Sequence, residues 1–317
     1  MKPEFDFEQP IADIEKAVEN LKNLAAEGST EISDQLKKLQ AKLGERKREI
    51  YENLTPWQTV QVVRHPQRPV LHDYVDLVFT DFLELHGDRC FGDDRALIGG
   101  FAMLDREKVM LLGHAKGHTA EDNAERNFGM ARPEGYRKAL RLMHLAETFR
   151  VPVITFIDTM GAYPGLDAEE RGQAEAIARN ITEMARIEVP ILSVVTGEGG
   201  SGGALGIGVG DILLMLSHAI YSVISPEGCA SILWRDASFN AQAAEAMKIT
   251  AQSLLELGVI DEIIPEPMGG AHTDYVATAQ GVKHALLEHL GKLTPWSAPK
   301  LISRRFEKFA AMGEFTK

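Results

Sequence analysis

The residues with the clearest chemical potential are glycines that follow two apolar, strand-like segments. Residues 197–204 read Gly-Glu-Gly-Gly-Ser-Gly-Gly-Ala and follow the apolar run 191–196; residues 158–165 read Asp-Thr-Met-Gly-Ala-Tyr-Pro-Gly and end the run 153–158. Each glycine costs roughly 0.5–1 kcal/mol relative to alanine unless the backbone adopts positive φ or closely approaches another group. We therefore predict two turns at strand ends, with a ligand held at the backbone.

Two motifs with side-chain or cofactor chemistry fit the second segment. Residues 197–202 match the dinucleotide pattern G-x-G-x-x-G, although no acidic residue ends a second strand about 20 positions on. Residues 199–203 match the nucleophile elbow G-x-S-x-G, with Ser201 as nucleophile and His218, Asp261 and His272 as conceivable partners. An elbow normally carries single glycines two positions to each side, whereas here the immediate neighbours of Ser201 are glycines as well.

A third interpretation uses the main chain alone. Gly202 and Gly203 precede the apolar run 204–209, which we predict to begin a helix. Unpaired N–H groups at a helix amino terminus favour negative charge, and each donor of an oxyanion hole is worth roughly 3–4 kcal/mol toward a transition state. Tight packing of helix on strand remains a fourth explanation for the glycines.

The elements around these segments follow an α/β pattern. Apolar runs predict strands at residues 97–104, 109–115, 153–158, 191–196, 212–216 and 220–225, and helical periodicity predicts helices at 133–149 and 171–187. Residues 153–196 therefore form a βαβ unit, whose loops belong at the carboxyl ends of the strands. From residue 241 onward the pattern is mostly helical.

The amino-terminal part has a different pattern. Apolar residues spaced by three, four and seven between Ile14 and Ile50 predict two antiparallel helices, with a break at residues 27–30 that contains Gly28. We divide the chain into a helical hairpin at residues 1–55, suited to packing on a partner, and a main domain at 56–317.

Composition narrows the function classes. The formal charge of −12 argues against a nucleic-acid surface, and no apolar run approaches the roughly 20 residues of a membrane span. Without a secretion signal, a cytoplasmic location is the expectation. The two cysteines, Cys90 and Cys229, are too few for a disulfide framework or a cysteine-built zinc site, so we expect buried free thiols and no metal in this chain.

Several basic residues are secondary candidates. Arg137 begins a basic helix face with Lys138 and Arg141, which suits either phosphate or carboxylate groups or simple solvation. Lys116, between His114 and His118, is a second electrostatic candidate, although such residues at a strand end more often only face solvent. A basic carboxyl-terminal tail contains Arg304, Arg305 and Lys308.

Five stretches carry a family resemblance. They are residues 132–141, 156–165, 169–173, 197–204 and 225–234, supported by 7–11 and by Arg64-His65-Pro66-Gln67-Arg68-Pro69. Together they closely resemble the α subunit of acetyl-CoA carboxylase carboxyltransferase over nearly the whole chain. The resemblance implies an α/β fold, a crotonase-like spiral of ββα units with an N-terminal helical hairpin, and an α2β2 tetramer with its active site at the α–β boundary.

The resemblance also implies how the work is divided. The β subunit is expected to bring a zinc ribbon and the hole for the thioester enolate, and this chain the hole for the biotin ureido oxygen. Gly202 and Gly203 are then the catalytic N–H donors, and the substrate-binding residues are Gly161, Ala162, Gly199, Gly200, Ser201 and Arg137. One departure is Met160, which stands where the family pattern has proline.

The implied reaction needs no side-chain base. Carboxybiotin on a biotin carboxyl carrier protein, loaded by biotin carboxylase, releases CO₂ as negative charge develops on the ureido group. The biotin anion then accepts a proton from acetyl-CoA, and the enolate attacks CO₂ to give malonyl-CoA, the first committed step of fatty acid biosynthesis.

Overall fold

A computed structural model describes residues 5–25 and 30–313, with no side chains described for residues 23–33. Its helices are α1 (Gln9–Ala25), α2 (Thr30–Tyr51), α3 (Pro56–Val63), α4 (Leu71–Val78), α5 (Ala120–Glu125), α6 (Pro133–Phe149), α7 (Leu166–Glu170), α8 (Gln173–Met184), α9 (Ser201–Leu205), α10 (Pro226–Trp234), α11 (Asn240–Met247), α12 (Ala251–Glu256), α13 (Tyr275–Leu293) and α14 (Ala298–Ala310). Within these ranges, no helix combines the length and apolar character that crossing a membrane requires.

The strands of the described chain form one mixed sheet. They are β1 (Thr80–Glu84), β2 (Leu97–Leu104), β3 (Glu107–His114), β4 (Val153–Thr159), β5 (Ile191–Gly200), β6 (Ile212–Leu216), β7 (Ile220–Ser222) and β8 (Glu262–Ile264). The spatial order is β1-β2-β3-β4-β5-β6-β8, and β7 pairs with the outer end of β5. β1, β2 and β3 are antiparallel, and all pairings from β3 onward are parallel.

The core lies between this sheet and the helices that cover it. Every residue of β4 is buried, as expected for a strand covered on both faces. α6 packs on β2 and β3 through its periodic face, on which Tyr136, Ala139, Met143 and Ala146 are fully buried. The prediction of an α/β fold is confirmed.

The predicted elements agree unevenly with the observed ones. The strands at 97–104 and 212–216 and the helix at 133–149 have the predicted bounds, whereas the helix predicted at 171–187 spans only Gln173–Met184. β1 and β8 were not predicted; β1 carries a register shift and β8 has only three residues, so neither shows an alternating apolar pattern.

The second glycine segment is a strand where a turn was predicted. β5 continues through Gly197–Gly200, because Glu198, Gly199 and Gly200 pair with Ile220, Tyr221 and Ser222 of β7. The helix that follows begins at Ser201 and ends at Leu205, which corrects the helix predicted at 204–209.

The amino-terminal helices α1 and α2 pack against each other, as predicted. A salt bridge of 2.7 Å from Lys47 Nζ to Glu15 Oε1 joins them. Near their base, Ile11 and Tyr51 pack on Val62 of α3. Of the break predicted at residues 27–30, residues 27–29 lie outside the described residues and Thr30 begins α2. The division into domains at residue 55 stays a prediction.

Two expectations about burial are wrong, those for the two cysteines and for Arg305, whereas for Lys138 the carboxylate contact is observed and the solvated alternative is not. Both cysteines are free, but Cys90 is exposed and Cys229 is half-buried. Lys138 is fully buried on Asp93, so the basic face of α6 is not simply solvated. Arg305 does not belong to a free basic tail: it is 1% exposed and its guanidinium pairs with Asp211 at the start of β6.

Candidate active site

Gly202 and Gly203 lie in the first turn of α9, immediately after β5. Ser201 makes the junction with φ of 52°, a left-handed conformation that few non-glycine residues adopt. Neither Gly202 nor Gly203 donates its N–H to an acceptor in the described part of the chain. Because buried N–H groups are nearly always paired, these two donors are available to a ligand. A five-residue helix has little dipole, so the N–H groups themselves supply the attraction.

The turn after β4 faces these donors. A β-carbon on Gly203 would lie 2.6 Å from the nitrogen of Ala162, so the two main chains touch at this point. The N–H of Gly161 is used by the hydroxyl of Thr159 at 3.2 Å, and that hydroxyl donates back to the Gly161 carbonyl at 2.7 Å. The Ala162 N–H has no acceptor within the described residues, which makes Ala162 the donor of this turn.

A cleft of about 1070 Å³ opens between the two glycine segments. Six predicted residues line it: Gly161, Ala162, Gly199, Gly200, Ser201 and Gly202. Apolar side chains of α8 and of the segment after β7 complete the walls, among them Ala174, Ile177 and Val223. Gly203 is buried just behind the lining. The carboxyl ends of β4 and β5 therefore meet at one cavity, as predicted from the βαβ unit.

Close packing accounts for several of the glycines. A β-carbon on Gly197 would overlap the carboxylate of Asp158, one on Gly199 the ring of Tyr221, and one on Gly200 the main chain of Met160. A β-carbon on Gly202 would meet only Ile177, at 3.7 Å. Tight packing thus explains the glycines within β5 but not Gly202, which faces the cleft.

Two buried side chains donate hydrogen bonds to main-chain carbonyls of α9 and of Gly206, which follows it. The Tyr136 hydroxyl donates to the Gly203 carbonyl at 3.3 Å, and the Asn180 amide donates to the Gly206 and Tyr136 carbonyls at 2.9 Å each. Both side chains are buried, and burial raises the pKa of Tyr136 well above its usual value, so the phenol stays a donor. These bonds fix α9 while its N–H groups stay available.

Charged residues cross the mouth of the cleft. Arg64 donates from Nε to Glu198 Oε1 at 2.8 Å and from Nη1 to Glu227 Oε1 at 2.5 Å. Burial raises the pKa of Glu227, but the hydrogen bond and charge of Arg64, together with hydrogen bonds from the Glu227 main chain and from Ser225, outweigh it, so the pKa lies below its usual range. Both carboxylates are therefore held by the Arg64 guanidinium.

A second ion pair lies below the cleft. Lys116 Nζ donates to Asp158 Oδ1 at 2.6 Å, and the same oxygen accepts the Glu198 N–H at 3.0 Å. Lys116 thus binds the carboxylate that connects the end of β4 to the extension of β5, and it does not simply face solvent. Its neighbour His114 is fully buried with no hydrogen bond at either ring nitrogen within the described chain, and burial lowers its pKa to about 4.

The family follows from comparisons of the sequence. A family model described as acetyl co-enzyme A carboxylase carboxyltransferase-like matches residues 4–313. The acetyl-coenzyme A carboxylase carboxyl transferase subunit alpha of Geobacter metallireducens is 54% identical over 312 residues, which are 98% of this chain and 98% of that protein. The chain belongs to this α-subunit family.

Solved structures agree in fold with this family member. Transcarboxylase 12S, solved with methylmalonyl-coenzyme A and methylmalonic acid bound, aligns with a TM-score of 0.56 at 17% identity, over 78% of this chain and 42% of that one. The β subunit of P. aeruginosa geranyl-CoA carboxylase aligns with the same score at 15% identity, over 83% and 48%. The crotonase-like fold is confirmed, and the chain spans less than half the length of these two.

The structure supports neither the nucleophile elbow nor the dinucleotide site that the glycine segment could form by its sequence. His218 is bonded to Glu266, Asp261 accepts from Lys308, and His272 stacks on His65 at 3.7 Å between ring centroids. No histidine lines the cleft within the described residues. The dinucleotide pattern lies in a paired strand followed by a five-residue helix, without the tight turn and long helix of a nucleotide site.

Arg137 is the predicted site residue that the structure does not bring to the cleft. Its Nε donates to Asp88 at 2.8 Å and its Nη1 to the Arg171 carbonyl at 3.0 Å. It borders a separate groove of about 350 Å³ on the other side of α8.

Sequence reasoning missed Arg64, Glu198 and Glu227 as residues of the cleft. Arg64 and Glu227 lie in stretches used for the family resemblance, and Glu198 lies inside the glycine segment. Their sequence separations of 134 and 163 residues left no local pattern that would predict the contacts.

Proposed function

We propose that this chain provides the biotin-facing half of an acetyl-CoA carboxylase carboxyltransferase and uses main-chain N–H groups as its catalytic donors. As an α subunit of this family, it takes part in carboxyl transfer from carboxybiotin to acetyl-CoA, which gives malonyl-CoA for fatty acid biosynthesis. The observation that carries the proposal is the pair of N–H groups at Gly202 and Gly203, which lack acceptors beside the cleft.

The cleft suits a ureido ring. Its volume of about 1070 Å³ slightly exceeds that of typical ligand pockets, which span roughly 300–1,000 Å³, so a ureido ring can enter. Ala174 and Ile177 offer an apolar wall to a ring, and the N–H groups of Gly202, on the lining, and of Gly203, next to it in the chain, are donors without acceptors. Carrier-bound carboxybiotin supplies the carboxyl group that is transferred.

The donors act by stabilising negative charge. As the carboxyl group leaves, charge moves onto the ureido oxygen, and N–H groups already in place stabilise it without reorganisation. Each such donor is worth roughly 3–4 kcal/mol in a site from which water is excluded. Ala162, on the facing turn, adds a third N–H at the same cavity.

The side chains of the cleft support a main-chain mechanism. Among the described residues that line it there is no histidine, lysine or cysteine, and two of its carboxylates are bound to Arg64. Ser201 has no histidine beside it to take a proton.

Further chains are part of the proposal. We infer a β subunit in an α2β2 assembly, with a zinc site in the β subunit, a biotin carboxyl carrier protein and a biotin carboxylase, all acting in the cytoplasm. The lengths support a separate partner, because the two solved chains above are more than twice as long as the part that this chain matches. We expect the α subunit alone to be inactive.

The test is reconstitution. The chain is co-purified with a zinc-ribbon β chain, and malonyl-CoA formation from carboxybiotin and acetyl-CoA is measured with Ser201→Ala beside the wild type. We expect activity only in the complex, near-wild-type activity of Ser201→Ala, and no labelling of Ser201 by a fluorophosphonate. Loss of activity in Ser201→Ala together with labelling would instead establish a serine nucleophile.

A further inference from the structure

Two arginines four residues apart both reach β5. Arg68 is buried; its Nε donates to the Thr196 carbonyl at 2.9 Å, and its two terminal nitrogens donate to Glu266 at 2.9 and 2.7 Å. Arg64 donates to Glu198, two residues further along the same strand. The segment after α3 thus holds β5 at the point where the strand leaves the sheet for α9.

Arg64 differs from Arg68 because it lines the cleft and has a second partner there. Its second partner, Glu227, lies in the first turn of α10 and lines the same cavity as Gly202. Both oxygens of Glu227 face the guanidinium, at 2.5 Å from Nη1 and 3.5 Å from Nη2. A planar guanidinium holds two carboxylates in fixed relative positions, which a lysine ammonium does less well.

We propose that Arg64 is a positioning residue for carboxyl transfer, which fixes the width of the cleft in front of Gly202 by joining Glu198 of β5 to Glu227 of α10. The inference rests on the proposed function of the cleft. It goes further by assigning a role to side chains that take no part in the chemistry. The N–H donors stay on β5 and α9, while Arg64 holds the facing wall at the distance that a ureido ring requires.

The exposure of these side chains distinguishes a positioning role from a role in folding. The side chains of Arg64 and Glu227 are 31% and 34% exposed, so their pairing contributes little to stability, whereas Glu198 is 9% exposed and depends on Arg64 for its ion pair. The buried Arg68 carries the structural attachment of the same segment. Removal of the Arg64 guanidinium should therefore alter substrate binding and lower the Tm through the unpaired Glu198, while Arg68 keeps the segment attached and the chain stays folded.

The experiment compares Arg64→Met, Arg64→Lys and Glu227→Gln in the reconstituted α–β complex. For Arg64→Met we expect the KM for carboxybiotin to rise about tenfold, while kcat and the KM for acetyl-CoA stay within about threefold. Arg64→Lys should restore part of the affinity for carboxybiotin. In a double variant that already carries Arg64→Met, Glu227→Gln should not raise the KM further, because both substitutions remove the same contact. Arg95→Met is the matched control, since Arg95 pairs with Glu125 on the surface outside the cleft.

Two results would overturn the inference. One is an unchanged KM for carboxybiotin in Arg64→Met; the other is an equal change in both KM values with a lowered Tm, which marks a structural role. Should Arg64→Met fail to fold, Arg64→Lys and Glu227→Gln decide on the same KM criterion. An inactive wild-type complex would contradict the proposed function itself, whereas an active wild type with unaltered variants would contradict only the role of Arg64.

Discussion

Replacing Gly203 with alanine keeps the N–H donor but disturbs the contact between the two glycine segments. The added β-carbon would lie 2.6 Å from the Ala162 nitrogen and closer still to the Gly161 carbonyl carbon. Ordinary contact begins at 3.4 Å, so one segment must retreat by roughly 1 Å. Misplacement of a catalytic group by this distance costs about 100-fold in rate, which corresponds to about 2.7 kcal/mol of transition-state stabilisation.

The assay is kcat/KM for malonyl-CoA formation by the reconstituted complex. Gly202→Ala is the comparison, because its β-carbon meets only Ile177 at 3.7 Å, and we expect about a tenfold smaller loss there than in Gly203→Ala. Gly44→Ala, with nothing within 4 Å of the new carbon, should leave activity unchanged. Equal losses at Gly202 and Gly203, or full activity of Gly203→Ala with an unaltered Tm, would refute the argument that the touching main chains set the position of the donors.

Two further predictions concern buried charge. Arg305→Met leaves Asp211 and three main-chain carbonyls without the hydrogen bonds that Arg305 now donates. The free energy of unfolding in urea should therefore fall by about 3–5 kcal/mol. Arg304→Met, at an exposed position, should change this free energy little. Burial lowers the pKa of His114 to about 4. Between pH 6.5 and 4 the unfolded chain therefore binds a proton at this residue that the folded chain does not bind. The free energy of unfolding should fall on acidification through this range by up to about 3 kcal/mol. In His114→Leu this part of the pH dependence should disappear; an unchanged slope of stability against pH would show that His114 is not its source.

The parts of the fold that the sequence predicts well have a strong local pattern. α6 was predicted with its observed bounds because Pro133 suits a first helical turn and a periodic apolar face runs to its end. The end of β5 was mistaken for a turn because glycine has low strand propensity, and its pairing with β7 is decided by residues about 20 positions further along the chain. There tertiary contact overrides local preference.

The candidate site divides along the same line. Gly202 was predicted because its donor role depends only on a strand that runs directly into a helix, and both elements are contiguous in sequence with it. The groups that hold this junction in place come from distant segments: Arg64 on one side, Asn180 on the other and Lys116 below. Asn180 is buried, Lys116 is half-buried and Arg64 is exposed, and no apolar periodicity in the sequence marks such polar residues as parts of a site. The position of the proposed main-chain donors can thus be predicted from a short stretch of sequence, and their catalytic role stays a prediction, whereas the precision of their placement depends on long-range hydrogen bonds that only the folded chain reveals.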